Sequence, residues 1–262
     1  MKMFKRIAAA AAGLLLATGA SAQVVGIGTA QRGATVSLGQ EIAKIVSTKT
    51  DLQMRSQGFA STGQYAPRIA AGDLEFGLAN VIETNFAYRG TVEELSGGAP
   101  LEDLRLVAVL YALPVSFFVP ESSDIMTPAD LRDKRVPVGW SSQALGEWLF
   151  RGFFANQDIP YPDAVNGVPV TAMPRMWDMF PQGQLDMAFS IFGSSFQQEL
   201  ASRVGGVRFL DLDEDPAAVE RMREHLPFSY VSTDTNPETG VTVKNISYDF
   251  VVFSSSRVVG CH

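Results

Sequence analysis

Cysteine and histidine are nearly absent from this 262-residue sequence, which has one Cys, at 261, and two His, at 225 and 262. A single cysteine excludes an intramolecular disulfide framework and a Cys-rich zinc site, and two histidines leave little for histidine chemistry. Positive charge is also scarce: 21 Lys and Arg stand against 28 Asp and Glu, giving a formal charge of −7. With no basic run after the first residues, that balance argues against nucleic acid as a partner. What is present is ordinary globular composition, 46% hydrophobic and 19% charged, and its 23 Gly and 14 Pro suggest many loops between short elements.

The first 22 residues read as a secretory signal. Lys2, Lys5 and Arg6 form a charged start, residues 7–16 an apolar run, and Ala20-Ser21-Ala22 a small-residue cleavage site. The run falls short of the roughly 18 to 20 apolar residues that span a bilayer. No cysteine follows Ala22 to carry a lipid anchor. The expectation is therefore an exported, soluble protein with no membrane insertion after cleavage. Cleavage leaves 18 Lys and Arg against 28 Asp and Glu, so an anionic ligand would have to be held by local geometry rather than by overall attraction.

Beyond the leader, short β-like runs alternate with helical ones. Residues 24–28 read as a buried strand, and Leu38, Ile42, Ile45 and Val46 form one apolar stripe on a helix. Residues 51–56 are a second strand, Ser61 to Gln64 has capping-box spacing for a helix over 62–71, and residues 75–80 are a third strand. A helix from about 81 and strands at 105–111 and 115–119 complete a first α/β unit. Thr127-Pro128 starts a second, with strands at 135–139, 168–171, 185–190 and 207–210 and helices near 145–153, 175–180 and 196–203. A helix opened by Asp215-Pro216, a connection over 236–240, and strands at 241–244 and 247–253 end the chain. Such alternation predicts parallel-type sheets flanked by helices.

In open parallel sheets, ligands bind at the C-terminal ends of the strands. Four such places are small and polar. The loop from Gly26 to Gly33 either presents backbone amides to an anion or simply makes a tight turn, and Arg32 in it is either a clamp or a solvated charge. A dinucleotide fingerprint fails, because Gln31 stands where the third glycine belongs. The others are residues 56–63, with Gln57 and Gly58; Gly139-Trp140-Ser141-Ser142-Gln143; and residues 190–195, opening on Ser190. Tyr65, Tyr111 and Trp140 either stack on a ligand or pack as ordinary core and rim. Together the loops suggest a cleft lined from both sides.

Catalysis finds little support. Gly139 to Gln143 lacks the final glycine of a serine-hydrolase elbow. The acidic run 211–215 carries Pro216 where a calcium loop needs its turn glycine and Met222 where it needs the bidentate glutamate.

Several of these segments, in order, resemble the TAXI-type solute receptors of tripartite ATP-independent periplasmic (TRAP) transporters. They are Gly28-Thr29, Ser56-Gln57-Gly58, residues 70–80 (AAGDLEFGLAN), 104–111 (LRLVAVLY), 130–139 (DLRDKRVPVG) and 182–189 (QGQLDMAF). The resemblance implies a two-lobed, type II periplasmic-binding-protein fold of the α/β class. It also implies a periplasmic receptor that takes a small carboxylate, an amino acid or a dicarboxylate such as glutamate or 2-oxoglutarate, to the membrane permease subunits of an ion-gradient-driven transporter, with no cofactor and no catalysis. Matched position by position, the implied ligand-facing residues are Thr29, Gln31, Arg32, Gln57, Asn80, Tyr111, Ser141, Ser142 and Gln143. Gly58, Trp140 and Ser190 join them from the loop reading.

Lobe 1 is expected to hold residues 23–120 plus 241–262 and lobe 2 residues 121–240, hinged through the strands near 111–119 and 241–253. Two departures stand out. The family's glycine-rich turn with a Tyr-Tyr-Pro run is replaced by residues 30–37 (AQRGATVS), so the ligand can differ from glutamate. Family members also continue with further helices on lobe 1, whereas this sequence stops at His262 and reads as truncated or frame-shifted, which would expose apolar surface there. A membrane sensor's receptor module is the alternative reading, and a periplasmic enzyme a more distant one.

Overall fold

A computed structural model describes residues 23–31 and 34–258; the expected signal segment and Arg32 lie outside the described residues. The chain forms β1 (Val24–Ala30), α1 (Ala34–Lys49), β2 (Gln53–Phe59), α2 (Thr62–Ala71), β3 (Phe76–Asn80), α3 (Val81–Arg89), α4 (Glu93–Ser96) and β4 (Leu104–Pro120). Then come a 3-10 turn at Pro128–Leu131, β5 (Arg135–Val138), α5 (Ala144–Asn156), β6 (Asn166–Pro169), α6 (Met173–Met179), β7 (Ala188–Ile191) and α7 (Ser195–Arg203). The last elements are β8 (Val207–Leu210), α8 (Pro216–His225), β9 (Tyr230–Thr235) and β10 (Thr242–Ser255).

The expected parallel sheets are in fact mixed. β1 runs parallel to both β2 and β3, and β5 to β6 in a separate pair, but β10 lies antiparallel to β3, β4 and β9, and β4 antiparallel to β7 and β8. The cause is that β4 and β10 are each one long strand where the sequence pattern suggests two. Pro114 breaks the pattern of β4 but not the strand: it stands opposite Ser247, and its carbonyl accepts a hydrogen bond from Phe192 N–H at 2.9 Å. Among the described residues the first half of β4 pairs only with β10, and its second half carries β7 and β8.

These two strands run through both lobes. In lobe 1, Tyr65 and Ile69 of α2 and Leu74 beyond it pack with Val251 and Phe253 of β10, while Ile27, Ala43, Leu78 and Val252 form a separate cluster. In lobe 2, an aromatic core gathers Phe117 and Phe118 of β4, Phe150, Phe153 and Phe154 of α5, and Phe189 of β7. Two of the resembling segments meet there, where the Arg135 guanidinium donates to Asp186 through Nε at 3.1 Å and the Arg135 backbone N–H to the same carboxylate at 2.7 Å. Where the lobes touch, Phe86 of α3 meets Trp148 of α5 edge to face, ring centroids 4.5 Å apart.

Not every local expectation survives. β2 continues to Phe59, so Gln57 and Gly58 are strand residues rather than loop residues, and β1 likewise reaches Ala30 and takes in Thr29. Ser61 makes no side-chain cap; Gln64 Oε1 reaches back to Ala60 N–H instead, at 3.0 Å. β9 has no counterpart in the sequence reading. The Thr127 start does form a capping box with Asp130, but over a single 3-10 turn.

Candidate ligand-binding cleft

On the lobe 1 side, the ends of β1 and β2 are tied together where Gln31 N–H donates to Phe59 O at 2.8 Å. Gln57 and Gly58 stand in register with Gly28 and Thr29. The Gln31 and Gln57 side chains are exposed, whereas Thr29 is buried and donates its hydroxyl to Ala30 O at 3.1 Å.

Asn80, at the end of β3, is buried and caps α3, its Oδ1 accepting from Glu83 N–H at 2.8 Å. Its Nδ2 donates to Glu83 Oε2 at 2.9 Å, and Thr62 Oγ1 at the start of α2 donates to the same oxygen at 2.9 Å. The Tyr65 hydroxyl stands 3.4 Å from Thr62 Oγ1 and donates to Leu78 O. Burial pushes the Glu83 carboxyl above its usual range, and the hydrogen bonds from Thr62 and Asn80 pull the other way. The chain thus places one of its own carboxyl groups among the donors that two helix N-termini offer. The sequence signal for Glu83 was available: Asn80-Val81-Ile82-Glu83 has the spacing of a cap and its third helical residue.

Tyr111 lies on β4 opposite Phe250 and half-buried, with burial raising its phenol pKa. On the lobe 2 side, Gly139 and Trp140 both adopt positive φ, 95° and 33°, which swings the chain out of β5. The turn drives Trp140 inward. At 2% exposure it packs against Gly146, Phe150 and Phe189, so in this conformation its ring is core rather than a stacking surface. Ser141 and Ser142 are left exposed at the tip, with Ser142 N–H donating to Thr171 O at 2.9 Å. Gln143 Oε1 accepts from Met173 N–H at 3.0 Å and so joins the loops after β5 and β6. Ser190 is buried within β7, its carbonyl accepting from Ser116 Oγ, and is not at a loop. The hydroxyl at that strand end belongs to Ser194, which caps α7 by accepting from Gln197 N–H at 3.2 Å.

Of the expected ligand-facing residues, the polar side chains left exposed are therefore Gln31 and Gln57 on one lobe and Ser141 and Ser142 on the other. Among the described residues no group of three or more His, Cys, Asp or Glu is placed to hold a metal ion, and no helix is long and apolar enough to cross a membrane.

This architecture is that of two-lobed periplasmic binding proteins. The periplasmic aliphatic sulphonate binding protein SsuA from Escherichia coli superposes with a TM-score of 0.56 at 15% identity, over 90% of this chain and 62% of that one. SsuA from Xanthomonas axonopodis pv. citri, bound to MOPS, gives 0.50 at 17% over 89% and 66%. PhnD1 from Prochlorococcus marinus, in complex with methylphosphonate, gives 0.53 at 9% over 90% and 78%. The chain thus spans under two thirds of the length of either SsuA. The chain belongs to the NMT1-like family, which it matches over residues 27–253. No curated protein matches it.

Proposed function

We propose that this protein is a periplasmic solute receptor that captures a small organic anion between its lobes and delivers it to a membrane permease, and that it is not an enzyme. The observation that carries this reading is the pairing of exposed polar strand ends on two lobes joined by β4 and β10, an arrangement in which bending of two strands closes a cleft. The family match and the fold neighbours support it. The finer reading, a TAXI-type receptor serving a TRAP permease, rests on the resembling segments, and so does the carboxylate ligand.

The Glu83 network narrows the ligand chemistry. Thr62 and Asn80 spend side-chain donors on Glu83, so an incoming acid would meet Gln31, Gln57, Ser141, Ser142 and backbone amides. Those groups are neutral, which favours a ligand recognised by shape and several hydrogen bonds over one clamped by a single charge.

A thermal-shift scan of the protein against amino acids, dicarboxylates, 2-oxo acids and sugars tests the proposal. A true ligand at 100 times its Kd should add about 2.7 kcal/mol. Ser141→Ala together with Ser142→Ala should weaken that ligand while leaving the unliganded transition in place. A folded protein that ignores every acid in the panel refutes the organic-anion reading.

A further inference from the structure

We propose a second binding site, for an acid with an aromatic or apolar body, in the groove between α3 and the end of α8. The groove encloses about 730 Å³ and shares no lining residue with the strand-end loops described above. One wall is Asn85, Phe86 and Arg89 of α3, which follows β3 of lobe 1; the other is Arg223 and Phe228 at and beyond the last turn of α8, which packs on α5 of lobe 2.

Four features of this groove point to a ligand. Arg89 forms no ion pair or hydrogen bond among the described residues, and Arg223 uses only its Nε, on Ser229 O at 2.8 Å, so both guanidinium groups have donors to offer. Glu224 on the rim is the acid among the lining residues, and the wall is net positive in an acidic chain. Asn85 Oδ1 is buried and accepts no hydrogen bond among the described residues, a cost that a turn of the side chain toward a ligand hydroxyl or amine in the groove would relieve. Phe228 holds φ at 65° with 59% of its surface exposed, although a bulky side chain strains that backbone and an apolar ring gains nothing from water. With Phe86 it offers the apolar contact that the ligand body needs. An acid gripped by Arg89 and Arg223 at once bridges the lobes, so its binding would bias the hinge.

The probe is 4-hydroxybenzoate, titrated into the 15N-labelled protein, with benzoate and phenol as controls. The hydroxy acid should shift the amides of residues 85–91 and 223–229; benzoate should bind less tightly for want of a partner for Asn85, and phenol more weakly still. Arg89→Ala and Arg223→Ala should each raise its Kd about tenfold, the size of one lost charge-assisted hydrogen bond. Because Arg223 also holds Ser229 O, Arg89→Ala decides the matter if Arg223→Ala loses its cooperative transition. Shifts confined to residues 29–31, 57–62 or 140–143 would overturn this site while supporting the strand-end cleft. No saturable shift anywhere, or an unchanged Kd in Arg89→Ala, would overturn it outright.

Discussion

Tyr111 on β4 and Phe250 on β10 stack face to face, ring centroids 5.1 Å apart and planes 6° from parallel. They are also partners in register, directly beside a bulge at which Leu110 has no partner on β10. A bulge sharpens strand twist and bends the ribbon, and here a flat aromatic pair braces the bend. This pair sits where both lobe-crossing strands pass between the cores.

That stack should be worth about 1 kcal/mol beyond the apolar area it buries. A double-mutant cycle with Tyr111→Ala and Phe250→Ala, read by urea unfolding, should return a coupling energy of that order. Additive single effects would show the rings to be neighbours without mutual stabilisation.

Glu83 makes a signed prediction about pH. Its folded-state pKa is raised, so the native chain holds that proton more tightly than the unfolded chain does. Its contribution to stability is full below the ordinary glutamate value and is lost as pH rises through the folded value. Glu83→Gln keeps the acceptor and removes the charge, so its stability relative to the parent should improve as pH rises above the ordinary glutamate value. Asp186, whose pKa Arg135 and Lys134 help to lower, acts in the opposite sense in both proteins and cancels in the difference. A pH-independent difference, measured by urea midpoints, would mean that Glu83 is ionised at no cost.

Gly146 on α5 leaves no room for a side chain, since a Cβ there would run into the Trp140 ring. Gly146→Ala should therefore destabilise by about 1 to 3 kcal/mol, the usual cost of overpacking, and displace Trp140 enough to change the near-ultraviolet circular dichroism. An unchanged melting curve would contradict the tight seating of that indole.

The first half of β4 is an apolar edge, with Leu106 62% and Val109 57% exposed. Unpaired edges of this kind pair with other chains. Leu106→Lys and Val109→Lys should each change folding stability by less than about 0.5 kcal/mol and lower light scattering at high concentration. A substitution that unfolds the protein would show the strand to be covered in solution.

The extents of the helices were the most legible part of the sequence, more so than their caps. α2 runs from Thr62 to Ala71 as its pattern suggests, and α8 opens on Asp215, whose Oδ1 accepts from Ala217 N–H at 2.9 Å. Local bonds set such features, and local sequence reports them. Strand direction was less legible, because the alternation of β4 and β10 is interrupted at Pro114 and Asn245-Ile246 while both strands run on through those positions. β9 escaped because its polar alternation, Ser232-Thr233-Asp234-Thr235, resembles a loop, and its pairing partner lies on the next strand. At the cleft, the positions of Ser141 and Ser142 follow from a Gly-turn-helix pattern. The inward swing of Trp140 does not, since it depends on a positive φ and on the space beside Gly146. Glu83 was overlooked because a carboxylate in a first helical turn usually faces water, and only the packing of α2 against α3 encloses it.

The strand that completes both lobes is the last one described. Ser254 Oγ closes onto Glu75 O across 179 positions of sequence, and β10 alone joins β3 to β4. Until β10 arrives, β3 has a bare edge, and Leu78 and Ala79 lack the partners that Val252 and Val251 supply. Contacts this distant in sequence form late and slowly, so the pairing of β10 with β3 comes after the local elements of each core.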